Sequence, residues 1–180
     1  MNKTIVVYYS NKGSNKYLAH KISKSLECDI EAIRPRLNVF LLFLMNLHLG
    51  IRQLKSDIKA YNTVILCGPI WMGKFIPPLR SFVKKYNRQI GKIIFVTCCG
   101  STDAKKDEKF GHGWVFKEVE SMLNGKCVFC QAFPVSLVLP EELQEDTEAF
   151  MKTHLNDNNF KGIIQKRYDG FIQRVTDLLN

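Results

Sequence analysis

Two kinds of hydrophobic pattern take turns along the chain. Residues 4–9 form an unbroken run of β-branched, apolar and aromatic side chains, and residues 64–67 and 93–97 repeat it; residues 28–33 and 128–133 also read as strands, with Asp29, Glu31 and Gln131 among their apolar positions. Short continuous runs of this kind predict strands buried on both faces, as in parallel sheets. Between them the period changes. Tyr17, Leu18, Ile22 and Leu26 fall on one helical face, and Pro77-Pro78 opens a second helix through Tyr86, since proline suits a first helical turn. Residues 116–123 and 162–179 read as two more helices, while 57–60 lead into the third strand. Alternating strands and helices imply a parallel sheet with helices on both faces and right-handed crossovers. The expectation is an α/β fold: one doubly wound five-stranded domain spanning residues 1–180.

One stretch departs from this rhythm. In residues 37–51, eleven of fifteen side chains are large and apolar, interrupted by Asn38, Asn46 and His48. That is too short to span a bilayer, and its length suits one helix lying on something. A helix packed on the sheet as the second crossover is one reading. A second is an apolar surface at 37–52 that meets a second copy of the chain, a membrane or a hydrophobic acceptor. His48 reads as structural. His112, between Gly111 and Gly113, is either a solvated loop histidine or one that reaches a ligand.

Composition narrows the class. Hydrophobic residues make up 46% of the 180 and charged residues 24%, which excludes disorder and fibrous repeats. No apolar run is long enough for a membrane span, and the N-terminus lacks the pattern of a signal peptide, so a cytoplasmic protein is expected. The formal net charge is +9, but the basic residues are scattered and no nucleic-acid motif is present. Nucleic-acid binding is therefore not expected. The six cysteines, Cys28, Cys67, Cys98, Cys99, Cys127 and Cys130, are expected to stay reduced. Cys127 and Cys130 form a C-x-x-C inside a strand, where residues three apart face opposite sides, so their thiols should diverge. A zinc site would also want a second ligand pair, which is missing, and no metal is expected.

In a doubly wound sheet, ligands bind beyond the carboxyl ends of the strands. The loop after the first strand, Ser10-Asn11-Lys12-Gly13-Ser14-Asn15-Lys16, meets a helix start, where free N–H groups and the helix dipole favour an anion. It has neither Walker nor G-x-G-x-x-G spacing; a plain turn with Ser14 or Asn15 as helix cap is the competing reading. The loop after the third strand, Gly68-Pro69-Ile70-Trp71-Met72-Gly73, presents an aromatic face and a flexible glycine. The tryptophan could equally plug the sheet end. The loop after the fourth, Thr97-Cys98-Cys99-Gly100-Ser101, completes a crevice suited to a flat, apolar, phosphorylated ligand. FMN has that chemistry.

These segments resemble the flavodoxin-like family over nearly the whole chain. Residues 5–14 are similar to its first strand and phosphate loop, 64–73 to its third strand and first flavin loop, 77–82 to the following helix, and 93–100 to its fourth strand and second flavin loop. The resemblance implies the strand order 2-1-3-4-5 and bound FMN. Ser10, Lys12, Gly13, Ser14 and Asn15 would hold the phosphate, Trp71 would lie against the ring, the Met72-Gly73 peptide would sit near flavin N5, and Pro69 and Ile70 would be among the cofactor-binding residues. Thr97, Cys98, Cys99 and Gly100 would flank the pyrimidine side. Lys12 and Asn15 stand where the family usually has hydroxyl residues.

The function this implies is an FMN-binding redox protein that passes electrons to a partner protein or a small-molecule acceptor. An FMN-dependent NAD(P)H or quinone oxidoreductase is the alternative, with a looser resemblance to flavodoxin-like protoporphyrinogen oxidases. A cofactor-free binding domain is a third reading; against it, the first and third strands end in Tyr9-Ser10 and Cys67-Gly68 and lack the acidic cluster of a receiver domain.

Overall fold

Each of these five segments is a strand in the computed structural model, which describes residues 3–45, 50–144 and 146–180. The strands are β1 (Thr4–Tyr8), β2 (Asp29–Ala32), β3 (Thr63–Cys67), β4 (Lys92–Cys99) and β5 (Cys127–Pro134). All neighbouring pairs are parallel, and the spatial order is β2-β1-β3-β4-β5. β4 runs two residues beyond the sequence expectation, so Cys98 and Cys99 sit in the strand and not in a loop.

The helices are α1 (Ser14–Ser25), α2 (Val39–Leu44), α3 (Pro77–Tyr86), α4 (His112–Leu123), α5 (Thr147–Lys152) and α6 (Ile163–Leu179). Strand side chains alternate between two cores, as the pleat requires. Ile5, Val7, Val64, Leu66, Ile93 and Phe95 pack with α3 and α4, together with Ile51, Leu54 and Ile58. Val6, Ile65, Ile94 and Val96 pack with Leu18 and Ile22 of α1 and with Tyr168, Phe171 and Val175 of α6. Burial on both faces explains why β1, β3 and β4 read as continuous apolar runs, whereas the edge strands β2 and β5 carry Asp29, Glu31 and Gln131.

Three expectations change. The apolar segment at 37–51 is not one long helix. Asn38 caps α2 by accepting hydrogen bonds from the N–H groups of Phe40 (2.9 Å) and Leu41 (3.2 Å), and the helix lasts six residues. Val39 and Leu42 are buried, whereas Phe40, Leu41, Leu44 and Met45 are each more than half exposed. Asn46, Leu47 and His48 lie outside the described residues. No helix among the described residues is long and apolar enough to cross a membrane.

Second, His112 is not a solvated loop residue: it is 4% exposed and opens α4, four residues before the predicted start. Third, the thiols of Cys127 and Cys130 do not diverge. Their Sγ atoms are 3.7 Å apart. The cause is a bulge: Ile93 pairs with Cys127 and Ile94 with Phe129, so Val128 is an extra residue in β5. One inserted residue shifts the alternation and turns both thiols to the same face. These two, like Cys28, are half-buried, while Cys67, Cys98 and Cys99 are buried.

Candidate functional site

The loop after β1 reaches α1 through Gly13, whose φ is +105°, a conformation glycine adopts without strain. Gly13 is also the N-cap, and no side chain caps the helix, so neither Ser14 nor Asn15 takes that part. The first N–H groups of α1 have no acceptor within the helix, and nothing lies within 4 Å of where a Gly13 Cβ would stand. Ser10 Oγ accepts from Gly13 N at 3.1 Å and shapes the turn. Asn15 is buried, and its amide spans to β4: Oδ1 accepts from Cys98 N at 2.8 Å and Nδ2 donates to Cys98 O at 3.1 Å.

After β3 the chain makes a small hairpin, with Ile70 paired to Phe75 and Trp71 to Lys74. Its two central residues, Met72 and Gly73, have φ of +49° and +66°. That is the type I′ pattern, which matches strand twist but strains a non-glycine residue by roughly 1–2 kcal/mol. A Cβ on Gly73 would meet Lys109 O at 2.8 Å and Phe110 Cα at 2.9 Å, so the turn sits tightly on that segment. Trp71 is half-buried, with the Phe43 ring edge-on at 5.4 Å.

The loop after β4 is held by His112. Its Nδ1 lies 2.9 Å from Ser101 Oγ, and its Nε2 is 3.9 Å from Asp103. Burial lowers the His112 pKa below its ordinary 6.5, against the pull of Asp103. Arg167 of α6 bonds Asp103 through both terminal nitrogens and holds its carboxyl below the usual range.

The three loops enclose a cavity of about 270 Å³. Its fourth wall comes from 135–154: Val135, Phe150, Met151, Thr153 and His154. This wall is tied down by Lys12 Nζ donating to Met151 O (3.2 Å) and by Leu155 N donating to Ser14 Oγ (3.1 Å). Beside it is a wider groove of about 840 Å³, walled by Tyr9, Val39, Phe40, Phe43 and Met72; the two share Asn11, Lys12, Ile70, Trp71 and Met151.

A family model described as "Flavodoxin domain" matches residues 44–132. The fold is that of a flavoprotein from Lactobacillus acidophilus NCFM in complex with FMN: TM-score 0.60, 16% identity, 73% of this chain and 93% of that one. The fold is flavodoxin-like. The apo-form of that Lactobacillus flavoprotein gives a TM-score of 0.54 at 16% identity, covering 81% of this chain and 97% of that one. An NADPH-quinone reductase from P. pentosaceus gives 0.52 at 12% identity, covering 86% and 98%. A search of curated proteins found no match.

In this flavodoxin-like fold, Ser10, Lys12, Ser14, Asn15, Pro69, Ile70, Trp71, Cys98, Cys99 and Gly100 all line the smaller cavity. Met72 lines the groove instead, and Thr97 is fully buried behind the site. Gly13 and Gly73 act through backbone shape. The wall from 135–154 escapes sequence reasoning, because that segment carries neither period. Only the Asp146 cap of α5, accepting from Glu148 N and Ala149 N, could have signalled a helix there.

Proposed function

We propose that this protein binds FMN in the smaller cavity and passes electrons through it, in a cytoplasmic setting. One observation carries the reading: the uncapped start of α1 and the half-exposed Trp71 are walls of the same cavity. The first offers N–H donors and the positive end of a helix dipole to a phosphate, and the second offers a flat apolar face. The residues present therefore fit the group. Lys12 would add charge at the phosphate end and Asn15 fixes the cradle against β4, while the Met72-Gly73 turn would meet the ring from the groove side. FMN supplies one- and two-electron chemistry when bound. The likeness to a flavoprotein in complex with FMN supports the same reading.

The test is the visible spectrum of the purified protein, followed by titration of the apoprotein. Flavin bands should appear and leave as FMN on denaturation, and riboflavin should bind far more weakly than FMN. Gly13→Val should weaken FMN strongly, because a Cβ would sit where the phosphate approaches and φ would be strained. Equal affinity for riboflavin and FMN would overturn the phosphate-loop assignment.

The groove favours an enzyme over a pure carrier. It lies within the size range of small-molecule sites and shares Trp71 with the flavin cavity. A flat apolar acceptor, such as a quinone, would fit between α2 and the hairpin. Oxidation of NADH or NADPH that accelerates with added quinone supports this; a rate indifferent to quinone supports the carrier.

A further inference from the structure

The C-x-x-C of β5 takes no part in the flavin site, yet the bulge makes it a matched pair. Cys127 and Cys130 pack toward the α3/α4 core, while Phe129 between them points into the opposite one. Val128 is the extra residue, and it is 38% exposed. β5 is the edge of the sheet and both thiols are only half-buried, so the pair is approachable from outside. The Sγ atoms stand 3.7 Å apart; a disulfide needs about 2.05 Å. Closing that gap takes side-chain rotation together with a backbone shift at the bulge between the two residues.

We propose that Cys127 and Cys130 form a thiol–disulfide exchange site that cycles with low-molecular-weight disulfides of the glutathione class. The Cys127 thiolate attacks one sulfur of the small disulfide; that S–S bond breaks and one small thiol leaves. Cys130 then loses its proton to solvent and attacks Cys127 Sγ, releasing the second small thiol. Two protein thiols are oxidised to one disulfide, and one small disulfide is reduced to two thiols. The roles follow from the contact. Cys127 is the less buried thiol and so the first to meet a reactant, and the S–H···S contact between the two sulfurs, in which either can donate, lets the Cys130 proton rest on a Cys127 thiolate and stabilise it. The other four cysteines cannot compete. Burial pushes the Cys28 and Cys99 thiols up to about 11 and those of Cys67 and Cys98 higher still. Among the described residues no further His, Cys, Asp or Glu joins the pair to make a metal-ligand group.

The experiment equilibrates reduced full-length protein with mixtures of glutathione and its disulfide, quenches with acid, alkylates free thiols and maps the peptides by mass. Cys127 and Cys130 should lose alkylation together, in a peptide lighter by two hydrogens, while the other four stay alkylated. In Cys130→Ser, a stable glutathione adduct should collect on Cys127. Cys127→Ser should react on the order of tenfold more slowly. Circular dichroism confirms that each variant is folded. A pair that stays alkylated at an oxidising ratio overturns the proposal. So does a bridge that closes as readily in the urea-unfolded chain, since the bulge would then contribute nothing.

Discussion

Trp71 offers its face to the smaller cavity and to the groove at once, and Phe43 meets its ring edge-on at 5.4 Å. Stacking on an aromatic side chain is worth about 1–3 kcal/mol, so Trp71→Ala should weaken FMN binding by roughly that much. Trp71 fluorescence should be quenched in the holoprotein and return in the apoprotein. Trp114 on α4, whose Nε1 donates to Asp107 O, serves as the unquenched reference. Unchanged affinity in Trp71→Ala would make this side chain a plug. His112 titrates in a way that can be read in stability. Burial holds its pKa below 6.5 in the folded chain, so the neutral ring is the folded form. Below pH 6.5 the unfolded chain takes up a proton that the folded one refuses. Its stabilising effect is therefore whole above that pH and declines as pH falls toward the folded value. Urea midpoints should drop more steeply between about pH 7 and pH 5 in the wild type than in His112→Gln. Parallel curves would show that the ring does not titrate with folding.

At the scale of elements, α2 is half in and half out. Val39 and Leu42 anchor it, and Phe40, Leu41 and Leu44 face outward, 61%, 52% and 64% exposed. Changing these three to serine should leave the FMN spectrum intact. It should abolish any dimer or liposome binding, and raise KM for an apolar acceptor through the lost Phe40 wall. Mass in solution, vesicle co-sedimentation and steady-state kinetics distinguish these arms. A variant identical in all three would reduce α2 to packing. The three central strands were legible because burial on both faces leaves almost no polar position to blur the run, and β2 and β5 because enough apolar positions remain around Asp29, Glu31 and Gln131. Other elements hid for local reasons. Met72 at φ +49° occupies a turn position where Asn or Gly would have announced a hairpin. Gly111 and Gly113 masked the first turn of α4; both lie where a Cβ would strike the 106–107 segment. The bulge was invisible because Val128 has the strand-forming character of its neighbours. Three walls of the site follow from loops that end strands. The fourth depends on contacts such as Ser14 with Leu155, which span 141 residues and leave no local pattern.

Across the whole molecule, the formal net charge of +9 creates a field that small charged reactants feel before contact. The reduced, flavin-loaded protein should therefore pass electrons faster to an anionic acceptor such as ferricyanide at low ionic strength. A cationic complex should show the opposite salt trend. Stopped-flow rates that do not respond to salt would place the exchange beyond the reach of that field. The Asn15 amide has a larger consequence than its two hydrogen bonds suggest. It clamps the start of α1 to the end of β4, so the proposed phosphate cradle and the proposed pyrimidine-side rim are tied directly to each other. Ordering one half then lowers the entropy still to be lost in ordering the other, which is cooperativity without a change of shape. Inorganic phosphate and riboflavin are the two halves of one ligand. Each should tighten the other by the same factor, as linkage demands. In Asn15→Ala the two titrations should become independent of each other.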